Sequence, residues 1–338
     1  MDRPNRLARA MAELSRRRFS TLAAAALCGV NVPGAGVAFA DAWPDRPVRL
    51  VVTFPPGGAN DIIARLMCDE LSRRLGQQFI VDNRVGGGGN IGAEAVARAA
   101  PDGYTLLQCS VSNATNASLY KDMTFNFERE MTAISGVYKV PLVIDVLPSF
   151  PAKDVTEFIA YAKANPGKIS FASGGVGTMA HIAGELMKQM AGVDMVHVPY
   201  RGSPEELSDL IAGRIEVVFD PLPTSLDFIK DGRLRALAVT TAKRTESLPG
   251  TPTVGEFLPG YEASVWVGIA APKATPAAIL EKLNAEINAV LATPAFAAKL
   301  RALGAEVFPT PRAEFADFIA ADTRKWAGVI NAAGIKAQ

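Results

Sequence analysis

The 338 residues are 49 % hydrophobic but only 7 % aromatic, with 35 Lys/Arg against 34 Asp/Glu and three cysteines. A chain of this length exceeds the usual size of one domain and holds enough apolar residues for two cores. Six of the basic and two of the acidic residues fall within residues 1–40, leaving 29 against 32, a formal charge of −3 with histidines neutral; nothing in that balance points to nucleic acid.

Residues 1–40 read as an export signal: a basic start, an apolar run from Phe19 to Val30, and a small-residue Ala38-Phe39-Ala40 cleavage site before Asp41. Ser15-Arg16-Arg17-Arg18-Phe19 matches the twin-arginine pattern, and an ordinary secretory signal with a basic start is the alternative. Cys28 follows Leu27, not the small residue that precedes a lipidated cysteine, so a lipid anchor is rejected. No later stretch reaches the roughly 18 apolar residues of a membrane span, and the mature chain is expected in the periplasm, not embedded in the membrane. Cys68 and Cys109 are expected as buried free thiols rather than a bridge.

From Trp43 the pattern alternates strand and helix. Val48 to Phe54 is a strand, followed by a helix with Ile62, Ile63, Leu66, Met67, Leu71 and Leu75 on its apolar faces. Phe79 to Asp82, a helix over Ile91–Ala100 and a strand over Tyr104–Cys109 complete a βαβαβ start, which predicts a parallel sheet. A short helix near Leu119 leads to two extended segments, Met131–Tyr138 and Leu142–Leu147, with a crossing between domains at Lys139-Val140-Pro141. A second α/β run has helices at Val155–Ala164, Met179–Ala191, Pro204–Ala212 and Thr224–Lys230. Its strands are Ile169–Ala172, Met195–Pro199, Ile215–Asp220 and Leu234–Thr240. Thr241–Glu262 has the Pro, Gly and Thr content of a return linker; Ser264–Ala271 resumes as a strand, and helices follow at Ala277–Leu291 and Arg312–Ala333.

Four glycine turns sit where a strand gives way to a helix: Val51–Asp61, Arg84–Gly92, Ser173–Thr178 and Tyr200–Pro204. Glycine admits close backbone approach, and the following helix start offers amides without an intrahelical partner, a construction suited to anions. In an open α/β sheet ligands sit outside the carboxyl ends of the strands, so the turns define one crevice. Only Arg84 and Arg201 lie at these turns, which favours carboxylate capture by backbone amides over phosphate binding by cations. Any single such turn is more often packing than binding. Asp61 is first a cap of its own helix and second a ligand contact. His181, in a first helical turn, is placed to reach the cleft, whereas His197 sits within an apolar strand. Ser173 and Asp220 end strands near the ligand, with a solvated strand end as the alternative. Gly87-x-Gly89-x-x-Gly92 fits a dinucleotide fingerprint only weakly, since no acid follows about 20 residues on. There is no Walker A sequence, no H-E-x-x-H and no G-x-S-x-G elbow, and no cofactor or metal is expected.

Seven segments in order carry a family resemblance: WPDRPVRLVVTFPPGGAND (43–61), NRVGGGGNIGA (83–93), PDGYTLL (101–107), FASGGVGT (171–178), HVPYRG (197–202), LRALAVT (234–240) and WAGVINAAGIK (326–336). The chain resembles the Bug-type extracytoplasmic solute receptors of tripartite tricarboxylate transporters. It departs from the usual pattern in Val85 and Gly87, which replace Pro and Ala, in Thr53, where Pro is frequent, and in its cysteines. The resemblance implies an α/β, two-lobed periplasmic binding protein, type II-like, each lobe a mostly parallel sheet flanked by helices. Residues 41–140 with 260–338 form the first lobe and 141–259 the second with its return linker. It implies no catalysis, a monomer, and closure on a small organic carboxylate, a di- or tricarboxylate or an aromatic acid, delivered to the membrane permease. The implied ligand-binding residues are Phe54, Gly57, Gly58, Asn60, Asp61, Gly89, Ser110, Ser112, Ser173, Gly175, Gly177, Thr178, His181, Tyr200 and Asp220. A carboxylate sensor docking onto a signalling partner is the alternative, and an exported hydrolase a weaker one.

Overall fold

The computed structural model describes residues 43–120 and 123–336, so the expected export signal lies outside the described residues. The chain opens with β1 (Val48–Val52), α1 (Ala59–Leu75), β2 (Phe79–Asn83), a short 3-10 turn (Gly87–Gly89), α2 (Asn90–Ala97) and β3 (Thr105–Ser110). β1 lies between β2 and β3 and pairs with both in parallel, as helical crossovers require. α1 forms because Ile63, Ala64, Met67, Cys68 and Leu71 recur at helical spacing and bury one face against this sheet.

Next come α3 (Val111–Leu119), α4 (Phe127–Glu130) and β4 (Met131–Val146). The two extended segments expected here are one 16-residue strand. Register shifts between Ala133 and Ser135 and between Gly136 and Tyr138 keep the strand continuous by absorbing irregular pairing. Pro141, which lacks an N–H, marks the place where the strand changes partners. The second run follows as α5 (Val155–Ala164), β5 (Ile169–Ser173), α6 (Met179–Ala191), β6 (Met195–Pro199), α7 (Ser203–Ile211), β7 (Val217–Pro221), α8 (Leu222–Lys230) and β8 (Arg235–Val239). The return is β9 (Ser264–Pro272), α9 (Ala277–Leu291), α10 (Pro294–Ala302), β10 (Glu306–Val307) and α11 (Arg312–Ala333). The sequence reading misses α10 because only Phe296 and Leu300 are buried on it, too few for a periodic signal. The Thr293 side chain nonetheless caps its start.

The strand order is β2-β1-β3-β9-β4-β7-β5-β6, with β8 and β10 also paired to β4. Each helical run is parallel, and the antiparallel pairs all involve β4 or β9. Residues 131–141 of β4 pair with β9, and residues 142–146 pair with β7 and β8. One strand therefore belongs to both halves of the sheet. A continuous apolar cluster follows the same path, from Val51 and Leu107 through Trp266, Phe315 and Trp326 to Phe171 and Phe219. Cys68 and Cys109 are buried free thiols, and burial pushes both up to about 12. No described helix is long and apolar enough to cross a membrane.

Gly268 sits where β9 passes under α11: a β-carbon there would lie 2.2 Å from Phe315 Cζ and 2.7 Å from the Ser135 carbonyl oxygen. The carbonyl belongs to the neighbouring strand and has little room to yield. Gly268→Ala is expected to lower unfolding free energy by about 1–3 kcal/mol, measured by urea denaturation against the unsubstituted protein.

Candidate ligand-binding site

The first-lobe turn is built around Asp61. Its carboxylate accepts from the Gly57 amide (2.9 Å), from Arg65 Nε (2.9 Å) and Nη2 (3.0 Å), and from Asn83 Nδ2 (2.9 Å). The same Asn83 amide group donates to the Phe54 carbonyl at 3.1 Å, tying β2 to the end of β1. Asp61 is only 2 % exposed. The Arg65 hydrogen bond, together with those from Gly57 and Asn83, holds its carboxyl down to about 2 against the opposing effect of burial. Gly57 takes φ +82° to bring its amide onto that carboxylate, a conformation a side chain would strain. Asn60 is fixed from two sides: Gln108 Nε2 donates to its carbonyl at 3.1 Å, and the Tyr138 hydroxyl donates to its Oδ1. With these braces behind the turn, the amides of Ala59 and Asn60 stand in the first turn of α1, where no intrahelical carbonyl reaches them.

Beside this turn lies the end of β3. Asn113 Oδ1 accepts from the Ser110 amide at 2.9 Å, which starts α3. Ser110 Oγ faces the Asn113 amide in a capping box, while Gln108 Oε1 and Asn113 Nδ2 are buried and have no hydrogen-bond partner among the described residues. The carbonyl of Ser112 takes Thr115 Oγ1 at 3.3 Å. The glycine turn is anchored by Asn116, whose Nδ2 donates to the Gly88 carbonyl (2.9 Å) and to Asn90 Oδ1 (2.7 Å). Gly89 passes so close to β1 that a β-carbon would meet Thr53 Oγ1 at 3.2 Å. Tyr120 then covers Gly88, its hydroxyl 2.8 Å from where a β-carbon would stand.

The second-lobe turn, Ser173–Thr178, faces this region. Leu119 and Tyr120 of the first lobe meet it directly: a β-carbon on Gly177 would lie 3.0 Å from Leu119 Cδ1, and a cavity of about 480 Å³ is lined by Tyr120, Gly175, Val176, Pro199, Tyr200, Arg201 and Glu205. The turn is held from within. Thr178 Oγ1 donates to the Gly175 carbonyl (2.8 Å) and accepts from the His181 amide (3.3 Å), capping α6. Ser173 Oγ lies 2.8 Å from His197 Nε2 and 3.1 Å from the Gly175 carbonyl. The Gly177 amide donates to His181 Nδ1 at 3.0 Å. Burial is the chief cause holding His181 down to about 3 and His197 to about 4, so both rings are neutral at neutral pH. Ser173 is fully buried.

Tyr200 and Asp220 are committed elsewhere. The Tyr200 hydroxyl donates to Asp209 Oδ2 at 2.8 Å. Asp220, fully buried, accepts from the hydroxyls of Ser203 and Thr224, which joins the starts of α7 and α8. Asp145 and Glu206 are also fully buried in this layer, Asp145 beside Ser225 and Glu206 beside the Asp220 carboxyl.

A family model described as the tripartite tricarboxylate transporter family receptor matches residues 63–335. The chain belongs to that family. The receptor is 37 % identical over 318 residues to BugT of Bordetella pertussis, covering 92 % of this chain and 97 % of the relative. Among solved structures it is similar to an R. palustris protein with adipate (TM-score 0.73, 37 % identity, 87 % of this chain and 99 % of that one). It is also similar to MatC from Rhodopseudomonas palustris with bound malate (TM-score 0.69, 29 % identity, 85 % and 100 %). It is similar as well to the periplasmic binding protein BugD (TM-score 0.68, 34 % identity, 88 % and 100 %), and as a member of a receptor family the chain is a substrate-binding receptor, not an enzyme.

Within the receptor, Phe54, Gly57, Gly58, Asn60 and Asp61 form one braced turn, with Gly89, Ser110 and Ser112 on the elements beside it. Ser173, Gly175, Gly177, Thr178 and His181 form the other. Asp61, His181, Ser173 and Thr178 spend their polar atoms on holding the turns, and Tyr200 and Asp220 hold α7. Sequence reasoning passes over Tyr120, Asn116 and Asn113. The signal available was the pair of asparagines after β3, but their partners are set by folding.

The buried acids have a measurable consequence. Burial and the Asp220 charge push Glu206 up to about 9 from 4.5, and burial pushes Asp145 well above the carboxylate range. Each folded carboxyl keeps a proton that the unfolded chain has released, so this stabilisation is complete below the unfolded value and is lost as pH rises toward the folded one. The histidines act in the opposite sense, their contribution being full above pH 6.5 and lost as pH falls. Between pH 7 and pH 9 the histidine contribution is constant. Stability there is expected to fall by about 1.4 kcal/mol per pH unit for each retained proton. Denaturant melts across that range should show a shallower slope in Glu206→Gln.

Proposed function

We propose that this receptor captures a small organic carboxylate by closing its two lobes and delivers it to the membrane permease of a tripartite tricarboxylate transporter. The carrying observation is the pair of strand-end turns, before α1 and before α6, each braced from behind by side chains so that helix-start amides are left for an anion. Each helix start contributes about half a unit of positive charge without an ionised side chain. Phe54, Gly58, Asn60, Gly89, Ser110, Ser112 and Gly175 remain the ligand-facing set, with Tyr120 and Val176 added from the cavity lining. Asp61, Gly57, Ser173, Gly177, Thr178, His181 and Asp220 shape that site from behind, and Tyr200 lines the cavity with its hydroxyl held by Asp209.

Adipate and malate, bound by structural neighbours, each carry two carboxylates, which favours a dicarboxylate within the class. Residues 41–140 with 260–338 act as one lobe and 141–259 as the other. The hinge lies where Lys139–Pro141 pairs with Ser264–Trp266, flanked by the Lys139–Glu262 ion pair at 3.6 Å. The receptor works as a monomer in the periplasm after a signal is removed behind Ala40, and it uses no cofactor.

A thermal-shift panel of mono-, di- and tricarboxylic and aromatic acids on protein freed of carried-over ligand tests this. A ligand at 100 times its dissociation constant adds about 2.7 kcal/mol of stability. A shift confined to dicarboxylates is the expected result; no shift with any acid would overturn the carboxylate reading.

A further inference from the structure

We propose that His181 and His197 are positioning residues for ligand capture, a stacked imidazole pair that presets the Ser173–Thr178 turn from behind. The inference rests on reading that turn as one of the two carboxylate grips. The rings lie 3.7 Å apart with an interplanar angle of 8°, and Phe171 packs against both. They come from different elements, His181 from α6 and His197 from β6. They meet the turn near its two ends: His197 Nε2 at Ser173 Oγ (2.8 Å) and His181 Nδ1 at the Gly177 amide (3.0 Å).

The turn between those points contains Gly175 and Gly177, at φ +134° and +79°. A segment with that freedom loses entropy when a ligand orders it, and fixing it beforehand raises affinity without adding a contact. Imidazole suits the task because it stacks as a flat ring and accepts a hydrogen bond without charge. Since Gly177 donates to Nδ1, the His181 proton sits on Nε2, which faces Glu185 Oε1 at 3.9 Å; that carboxylate is itself paired to Lys188 at 3.0 Å. Glu185 and Lys188 thus stand behind the ring and away from the turn.

The test separates the ring from its acceptor. His181→Phe keeps an aromatic ring against His197 but removes the acceptor, whereas His181→Asn carries an oxygen near the Nδ1 position. His197→Phe and His197→Gln make the same comparison at Ser173. Hydrogen exchange of the Gly177 amide, read by NMR without ligand, is expected to speed up in His181→Phe and to stay slow in His181→Asn, with β1 amides unchanged. Calorimetric titration with adipate and with malate is expected to show affinity about tenfold weaker in the Phe variants and recovered in His181→Asn and His197→Gln. Unchanged exchange at Gly177 and unchanged affinity in His181→Phe would overturn the proposal. If neither acid binds the unsubstituted protein, the dicarboxylate reading fails, and the exchange comparison still decides the positioning role. Should His181→Phe not fold, the His197 pair decides it by the same criterion.

Discussion

The two halves of this protein are held in register by backbone hydrogen bonding where β4 changes partners. A buried strand must satisfy each amide and carbonyl along its length. β4 does so against β9 over residues 131–141 and against β7 and β8 over residues 142–146. Thr240, fully buried, stitches the junction: its amide donates to the Leu142 carbonyl at 2.9 Å, its Oγ1 accepts from the Leu142 amide at 3.1 Å, and its carbonyl takes the Ala263 amide at 2.8 Å. Both chain crossings therefore lie side by side. Across this junction Leu119 and Tyr120, at the end of α3, meet the Ser173–Thr178 turn before α6.

The crevice illustrates two ways of stiffening a glycine turn. In the first lobe a carboxylate gathers an arginine, an asparagine and a backbone amide, and the charge is neutralised on the spot by Arg65. In the second lobe hydroxyls and neutral imidazoles supply the same constraint with no net charge behind the turn. Both turns lead into a helix start, whose first amides lack an intrahelical partner. Under the proposed capture by backbone amides, ligand identity would depend on the space between the turns and on the buried polar atoms of Gln108, Ser110 and Asn113 beside the first of them. Two similar solved structures hold different dicarboxylates, adipate and malate, on one fold.

The layer beneath α7 and α8 is less economical. Three carboxyl groups share a small apolar core built from Ala172, Leu207, Leu210, Val218 and Leu234. Asp220 has hydroxyl donors from Ser203 and Thr224 and is joined by Glu206, which burial and the Asp220 charge keep protonated, while burial does the same for Asp145. Burying an unpaired ionised carboxylate is costly, and protonation is the usual escape. The arrangement places Ser203 and the start of α7 at a fixed height over β7, and so shapes the Tyr200–Pro204 edge of the cavity.

The amino-acid sequence by itself determined the alternation of strand and helix, the turns at the strand ends, the two-lobed class and the family, because these rest on local periodicity and on glycine and proline, whose effects are short-ranged. It placed Val155–Ala164, Met179–Ala191, Ala277–Leu291 and Arg312–Ala333 at the observed helix limits. Only the tertiary structure decided that Met131–Val146 is one strand, since its second set of partners lies far along the chain. It alone decided the hydrogen-bond partners of the polar side chains around the turns. Asp61 meets Asn83, Ser173 meets His197 and Asp220 meets Ser203, partners 22, 24 and 17 residues away that only folding brings alongside.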